Sequence, residues 1–514
     1  MLHTELIAPI SILLRQHAES RGDAIAYRDA NRSLRYGELA QRTGNLAGHL
    51  VALGVSPGDK VALYLPNSVE WVETCFAINR AGGICVPISY EAAEGEVLYR
   101  LQDAACKLAV TTGEKLALLQ GLKSQCPNLR DVIATNRGGI RERARAFEQL
   151  AGTTSSTRAP DSTDIFGPAF IIYTSGTTGR AKGVVLSVHS MLWIAASCWG
   201  PILKLSSTDT ILSPLPLFHS YALNLSVLGV LALGAREYIM EKFSTSEVVK
   251  FLKSGEFTFF PGVPTMFHYL LEAGKADPSI RLNGLRVAMS AGAIMPATLN
   301  REFEARFCVT LLDGYGITET ATMVTMNWPT GTRVPGSCGL PVPGLSVRIL
   351  DPTSGTDVAA GAEGELIVRG PNLMSGYHNK PAETEAALRE GWYHTGDLAR
   401  SDPNGYLTIT GRLKELIIRG GQNIAPAEIE EVVLGCEHVV DCAVIGIPHP
   451  HLGEVPMLFV VPRVAKPDAA LILEHCRKHL SAYKLPATVH FIDEIPRTGS
   501  GKIMRFRLRE HLSS

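Results

Sequence analysis

Tyr173-Thr174-Ser175-Gly176-Thr177-Thr178-Gly179-Arg180-Ala181-Lys182-Gly183 follows without a break on the apolar run 169–172. An apolar run that passes straight into small, hydroxyl-bearing and glycine residues reads as a buried strand ending in a loop. Glycines let the backbone approach a ligand closely, N–H groups and hydroxyls donate to phosphate oxygens, and Lys182 adds charge. The loop suits a polyphosphate. It is not the usual P-loop, because Lys182 is followed by Gly183 in place of Ser or Thr and the glycines are spaced differently. A flexible Ser/Gly linker would explain the composition but neither the lysine nor the strand before it.

Upstream of this loop, residues 36–53 are helix-periodic, 61–65 apolar, 69–80 periodic again and 84–88 apolar, an αβαβ pattern. Further strands at 108–111, 132–134 and 169–173 predict an α/β fold whose large N-terminal domain holds parallel-rich sheets with flanking helices. Active sites in such sheets favour strand-end loops. After a strand-and-turn region at 402–410 a smaller α/β pattern begins, with a helix at 424–434, strands at 442–447 and 457–461, and a helix at 469–480. The expected division is therefore an N-terminal domain over 1–411 and a small mobile C-terminal α/β domain over 412–514.

A chain of 514 residues exceeds what one core supports, which agrees with at least two domains. The formal charge of -1 gives no broad attraction to nucleic acid or anionic membranes, so any phosphate binding is local. Ten cysteines between Cys75 and Cys476 contain no Cys-x-x-Cys pair, which points to a reducing cytoplasm. Residues 1–15 lack the pattern of a secretory leader. The longest apolar stretch, 221–235, is short of the roughly 20 residues a membrane span needs. Asn224, Ser226 and Gly229 interrupt it, and it reads as a buried helix.

The loop at 173–183 resembles the phosphate-loop signature of the adenylate-forming superfamily of AMP-binding enzymes, and further motifs agree in order. Gly314-Tyr315-Gly316-Ile317-Thr318-Glu319 resembles that superfamily's adenine and magnesium motif, and Tyr393-His394-Thr395-Gly396-Asp397 its ribose motif. Gly411-Arg412-Leu413-Lys414-Glu415-Leu416-Ile417 resembles the hinge, and Pro496-Arg497-Thr498-Gly499-Ser500-Gly501-Lys502 the loop with the adenylation lysine. Leu217-Phe218-His219-Ser220-Tyr221-Ala222-Leu223-Asn224 is similar to the acyl-site segment of acyl-CoA synthetases of the fatty-acyl- and 4-coumarate-CoA ligase type.

The resemblance implies an ATP-dependent acid-thiol ligase that forms an acyl-AMP from a carboxylic acid and passes the acyl group to coenzyme A. It implies catalytic roles for Lys502, Thr318, Glu319 and His219. Nucleotide and coenzyme contacts fall to Thr174, Ser175, Gly176, Thr177, Thr178, Lys182, Gly292, Ala293, Asp313, Gly314, Tyr315, Asp397, Arg412, Lys414, Gly420, Gly421 and Asn423. Mg²⁺ falls to Glu319 and Thr174. It also implies that the C-terminal domain swings about a hinge near Lys414, withdrawing Lys502 and bringing Gly420 and Gly421 to the site.

Read as chemistry, Tyr315 offers a ring for adenine stacking, Asp397 can accept from both ribose hydroxyls, and Lys502 sits in a small-residue loop able to move. His219 and Tyr221, the segment Phe260-Pro261-Gly262-Val263-Pro264-Thr265-Met266, and Ser290-Ala291-Gly292-Ala293 wall an acyl pocket without a counter-charge, which favours an uncharged tail. Two departures stand out: Ala181 where the phosphate loop usually has Pro, and Ile294-Met295 where the wall loop usually has Pro-Leu. A carrier-protein phosphopantetheine thiol is the alternative acceptor, although the insertion typical of acyl-AMP ligases is missing between Glu319 and Gly364. A luciferase-like enzyme would carry the same adenylation motifs, and intact Lys182, Glu319, Asp397 and Lys502 argue against a non-enzymatic homologue.

Overall fold

The computed structural model describes residues 2–138, 145–174, 181–420, 422–464, 467–498 and 501–511, and of Asn423 the backbone alone. Lys60–Tyr64, Ile84–Pro87 and Leu108–Thr112 are almost wholly buried, as parallel strands covered on both faces must be. They form the middle of an eight-stranded sheet ordered Gly376–Tyr377, Lys182–Ser187, Pro168–Thr174, Ile84–Pro87, Lys60–Tyr64, Leu108–Thr112, Asp131–Thr135, Arg145–Ala146. Pairing is parallel from Pro168–Thr174 to Arg145–Ala146. It turns antiparallel where Lys182–Ser187 folds back and meets Gly376–Tyr377. Helix Val69–Arg80 packs on this sheet. Ser68 caps it by accepting from the Trp71 N–H at 3.2 Å, and Arg80 lies at its negative end.

A nine-stranded sheet is parallel through Thr310–Tyr315, Val287–Ser290, Phe259–Gly262, Thr210–Ser213, Arg236–Ile239 and Ile25–Arg28, with antiparallel strands at both ends. The two sheets share one apolar cluster, and the expected buried helix lies in it. It runs as Ser220–Ala222, a π-helical stretch Leu223–Gly229, and Val230–Leu233. Asn224 is fully satisfied there: it accepts from Trp199 Nε1 at 2.7 Å and donates to the carbonyls of Met191 and Ala321, each at 2.9 Å.

An antiparallel sheet of Ser346–Leu350, Gly364–Arg369, Trp392–Ser401, Leu388–Arg389 and Leu407–Arg412 follows. The last sheet joins Gln422–Ile424, Ile417–Arg419, Gly453–Pro462, Val439–His449 and Thr488–Phe491, and its two apolar clusters draw only on residues from Ile417 onward. Only the one-turn helix Leu413–Glu415 lies between Arg412 and Ile417. The helix expected from residue 424 begins instead at Pro426. Ile424 pairs with Ile417 in the sheet, and proline takes the first helical turn, where its missing N–H costs nothing. Among the described residues no helix is long and apolar enough to cross a membrane.

Glu237, in strand Arg236–Ile239, is 1% exposed beside Ser226 of the π-helical stretch, and neither carboxyl oxygen has a hydrogen-bond partner among the described residues. Burial drives its pKa well above the ordinary carboxyl value. The folded chain therefore holds a proton that the unfolded chain releases, so stability falls as pH rises above the unfolded value, by about 1.4 kcal/mol per pH unit until the folded pKa is reached. Glu237→Gln should raise the melting temperature more at pH 8 than at pH 5. A gain equal at both values would contradict a neutral carboxyl.

Candidate active site

The carboxyl ends of the parallel strands meet across one cleft, where open α/β sheets place their ligands. Thr174, Pro214, Gly292 and Tyr315 each line it from the end of a different strand.

One corner is built on Asp397, which is 3% exposed in strand Trp392–Ser401. Its Oδ2 accepts from the Tyr315 hydroxyl at 2.5 Å, and its Oδ1 lies 2.9 Å from Arg412 Nε. Strand pairing sets Asp397 directly opposite Arg412, so the ion pair is fixed by register. Charge from Asp397 holds the Arg412 guanidinium above its ordinary pKa. Tyr315 stands between glycines of which Gly316 is obligatory, since a Cβ there would lie 1.2 Å from the Thr322 carbonyl oxygen. Among the described residues Asp313 Oδ1 is buried with no partner, and burial raises that carboxyl well above its usual range. It lines the cleft.

The other corner gathers charge. Thr174 and Lys182 face each other across the strand pair that flanks the phosphate-type loop. Glu319 Oε1 accepts from the Tyr377 hydroxyl at 3.0 Å, and Lys182 Nζ lies 4.7 Å from the centre of the Tyr377 ring. Thr318, 6% exposed, shares a hydrogen bond of 3.0 Å with the Ser220 hydroxyl. His219 caps the helix that starts at Ser220, its Nδ1 accepting the Tyr221 N–H at 3.4 Å, which leaves the proton of the neutral ring on Nε2. Burial, reinforced by the charge of Lys502, pushes the His219 pKa down to about 3.

Lys502 reaches this cleft from the C-terminal segment. Arg497 and Ile503 pair across the turn, and the Gly501 Cα position packs so closely on the Val263 side chain that a Cβ would meet it at 3.0 Å. Burial and then Arg412 lower the lysine's pKa, against the pull of Asp397, Glu319 and Glu415. Across the same seam Arg463 reaches Glu272 of helix Pro264–Ala276 at 2.7 Å.

The cleft thus brings together Thr174, Lys182, His219, Gly292, Ala293, Asp313, Gly314, Tyr315, Thr318, Glu319, Asp397, Arg412, Lys414 and Lys502. Gly420 is exposed, its N–H donating to the Leu452 carbonyl at 2.7 Å in the outer sheet. Ser175, Gly176, Thr177, Thr178, Gly421 and the Asn423 side chain lie outside the described residues. Sequence reasoning missed Tyr377, and it placed Tyr393 and Ser220 within motifs without giving either a role of its own. Gly376-Tyr377-His378-Asn379-Lys380-Pro381 reads as a turn, and nothing local says that the tyrosine points at Glu319.

Comparison with known proteins agrees with this geometry. The family model for AMP-binding enzyme matches residues 14–378, and the model for the AMP-binding enzyme C-terminal domain matches 428–502. The chain is similar to a feruloyl-CoA synthase of Amycolatopsis sp, 35% identical over 95% of each chain. It is also similar to a long-chain-fatty-acid–CoA ligase of Yersinia pestis, 33% identical over 95% of this chain and 92% of the other. Among solved structures, the anthranilate CoA ligase AuaEII in complex with anthranoyl-AMP superposes with a TM-score of 0.92 at 26% identity, covering 100% of this chain and 99% of that one.

An ordinary imidazole is mostly protonated at pH 5. Histidine-labelled NMR should find His219 still neutral there, because its pKa is lowered. A His219 signal that shifts to the imidazolium position between pH 7 and 5 would show that the ring is neither desolvated nor facing a cation.

Proposed function

The chain belongs to the AMP-binding enzyme family, and from that membership we propose which side chains run its chemistry. It is an adenylate-forming acyl-CoA ligase that activates a carboxylic acid with ATP as acyl-AMP and then makes the coenzyme A thioester. In the first step a carboxylate oxygen of the acid bonds to the α-phosphorus, and the bond to the β-phosphate bridging oxygen breaks. Its electron pair leaves with pyrophosphate. In the second step the thiol sulfur bonds to the acyl carbon, the acyl–phosphate bond breaks with AMP as leaving group, and the thiol proton is released. No side-chain nucleophile is needed, so the protein contributes position and charge.

The observation that carries the assignment is the convergence of Lys502, Arg412, Asp397 and Glu319 beside neutral His219 in one cleft. Lys502 neutralises charge between carboxylate and α-phosphate, Lys182 and Thr174 bind the outgoing phosphates, and Thr318 holds the α-phosphate. Asp397 accepts from the ribose hydroxyls, Tyr315 stacks on adenine, and Asp313 takes its amino group. Among the described residues no group of three His, Cys, Asp or Glu side chains could hold a metal ion. Glu319 and Thr174 nevertheless suit Mg²⁺, which binds through one or two protein oxygens plus substrate phosphates. When bound, the ion offsets polyphosphate charge.

Several proposals complete the reading. The division between domains lies after residue 411, with Lys414, exposed on the short helix between the sheets, as hinge. Lys502 inside the cleft with Gly420 outside it corresponds to the adenylating arrangement, and thioester formation follows after the C-terminal domain swings. The acid is an apolar monocarboxylate, aryl or fatty, because the recess bounded by Leu215, Tyr221, Ala222, Val263, Met266 and His219 offers it no charge at neutral pH. The ten cysteines are all free thiols, which suits the cytoplasm.

Pyrophosphate release should depend on an added fatty, benzoic or cinnamic acid, and thioester on coenzyme A as well. Acylation of a phosphopantetheinyl carrier protein without coenzyme A consumption would move the acceptor to the protein. Lys502→Ala should slow acyl-AMP formation by about a hundredfold to a thousandfold, as loss of a preorganised electrostatic donor does. Prepared acyl-AMP plus coenzyme A should still give thioester at close to the parent rate. Equal loss in both single-turnover steps would overturn the domain swing.

A further inference from the structure

Lys182 and Glu319 come from separate motifs, yet both side chains end on one residue that belongs to neither. The Tyr377 hydroxyl donates to Glu319 Oε1 at 3.0 Å and lies 3.2 Å from the Tyr393 hydroxyl, while the face of its ring lies 4.7 Å from Lys182 Nζ. The ring is held by its backbone. Tyr377 pairs with Val184 of the strand that Lys182 begins, and its N–H donates to Thr384 Oγ1 at 2.8 Å. The Met374 N–H donates to the Glu319 carbonyl at 2.8 Å, so the two segments keep a fixed separation. Tyr377 also lines the cleft.

A lysine and a glutamate converging on one site would ordinarily pair, and a closed ion pair leaves neither charge free for a ligand. A tyrosine between them changes the outcome. Its π-face attracts the ammonium and its O–H satisfies the carboxylate, so each charge is ordered without quenching the other. The hold on Lys182 is loose enough for phosphate oxygens to replace the ring.

Resting on the reading of the chain as an acid-activating ligase, we propose that Tyr377 is a positioning residue for adenylation. Its ring presents the Lys182 ammonium to the ATP phosphates, and its hydroxyl aims the Glu319 carboxylate. AMP lacks the phosphates that Lys182 serves, and a supplied acyl-AMP no longer needs either arrangement.

The test compares wild type, Tyr377→Phe and Tyr377→Leu by calorimetric titration with ATP and with AMP, and by single-turnover assays of each half-reaction. Tyr377→Phe keeps the ring, so ATP affinity should stay within about twofold while acyl-AMP formation falls about tenfold, the usual effect of losing one hydrogen bond to a charged acceptor. Tyr377→Leu should in addition weaken ATP binding by about fivefold, in line with loss of a cation–π contact, and leave AMP binding unchanged. Thioester formation from supplied acyl-AMP should match wild type in both. If the leucine variant does not fold, the phenylalanine variant carries the test alone through a slow adenylation step at unchanged ATP affinity. The proposal is overturned if ATP and AMP affinities fall together, if both half-reactions slow equally, or if Tyr377→Phe behaves as wild type. Wild-type protein that forms no acyl-AMP with any acid overturns instead the ligase reading beneath it.

Discussion

Asp397 and Arg412 form the contact on which the cleft is organised. A carboxylate that is 3% exposed is tolerable only when its oxygens are occupied, and here a guanidinium takes one and the Tyr315 hydroxyl the other. The register of adjacent strands sets the two residues directly opposite each other. Tyr315 brings the end of the nine-stranded sheet to the antiparallel one, and Arg412 is the last residue before the short turn that leads to the C-terminal sheet. Three parts of the chain are thereby referred to one buried charge.

The cleft concentrates charge in a chain whose formal total is only -1. Lys182, Arg412 and Lys502 bring cations, Glu319 and Asp397 anions, and His219 is kept neutral by the same burial and the same lysine that define the site. Burial, and after it the charge of Arg412, lowers the pKa of Lys502, yet three carboxylates oppose that effect. A buried cation among these carboxylates is placed to meet an anionic ligand, which fits its proposed role in adenylation. On the seam it crosses, Arg463 with Glu272 is a partly exposed pair of the kind that contributes little and can be broken at small cost.

Much of this was legible in the residue order. The strand before the loop, the helix at residues 69–80 and the buried helical run beginning near Tyr221 follow from periodicity and length, and they stand where the pattern puts them. The apolar neighbours of Ile424 continue into a helix, but cross-strand pairing with Ile417 claims this residue for the sheet. Asn224 reads as an interruption in an apolar run, but its amide ties this helix to the carbonyl after the Thr318–Thr320 turn.

The class of fold, the order of motifs and the types of charge are written in the residue order, because these rest on local periodicity and on residue chemistry at fixed spacing. Which charges meet is settled by the packing of the sheets. Tyr377 is distant in sequence from both Lys182 and Glu319, and it joins them because strand Gly376–Tyr377 adds to the edge of the sheet that Lys182 begins. Asp313 and Glu237 are ordinary acids on paper, and burial, with oxygens that have no hydrogen-bond partner among the described residues, raises the pKa of both. Contacts between distant residues depend on how strands are ordered across a sheet, and no local pattern encodes that order.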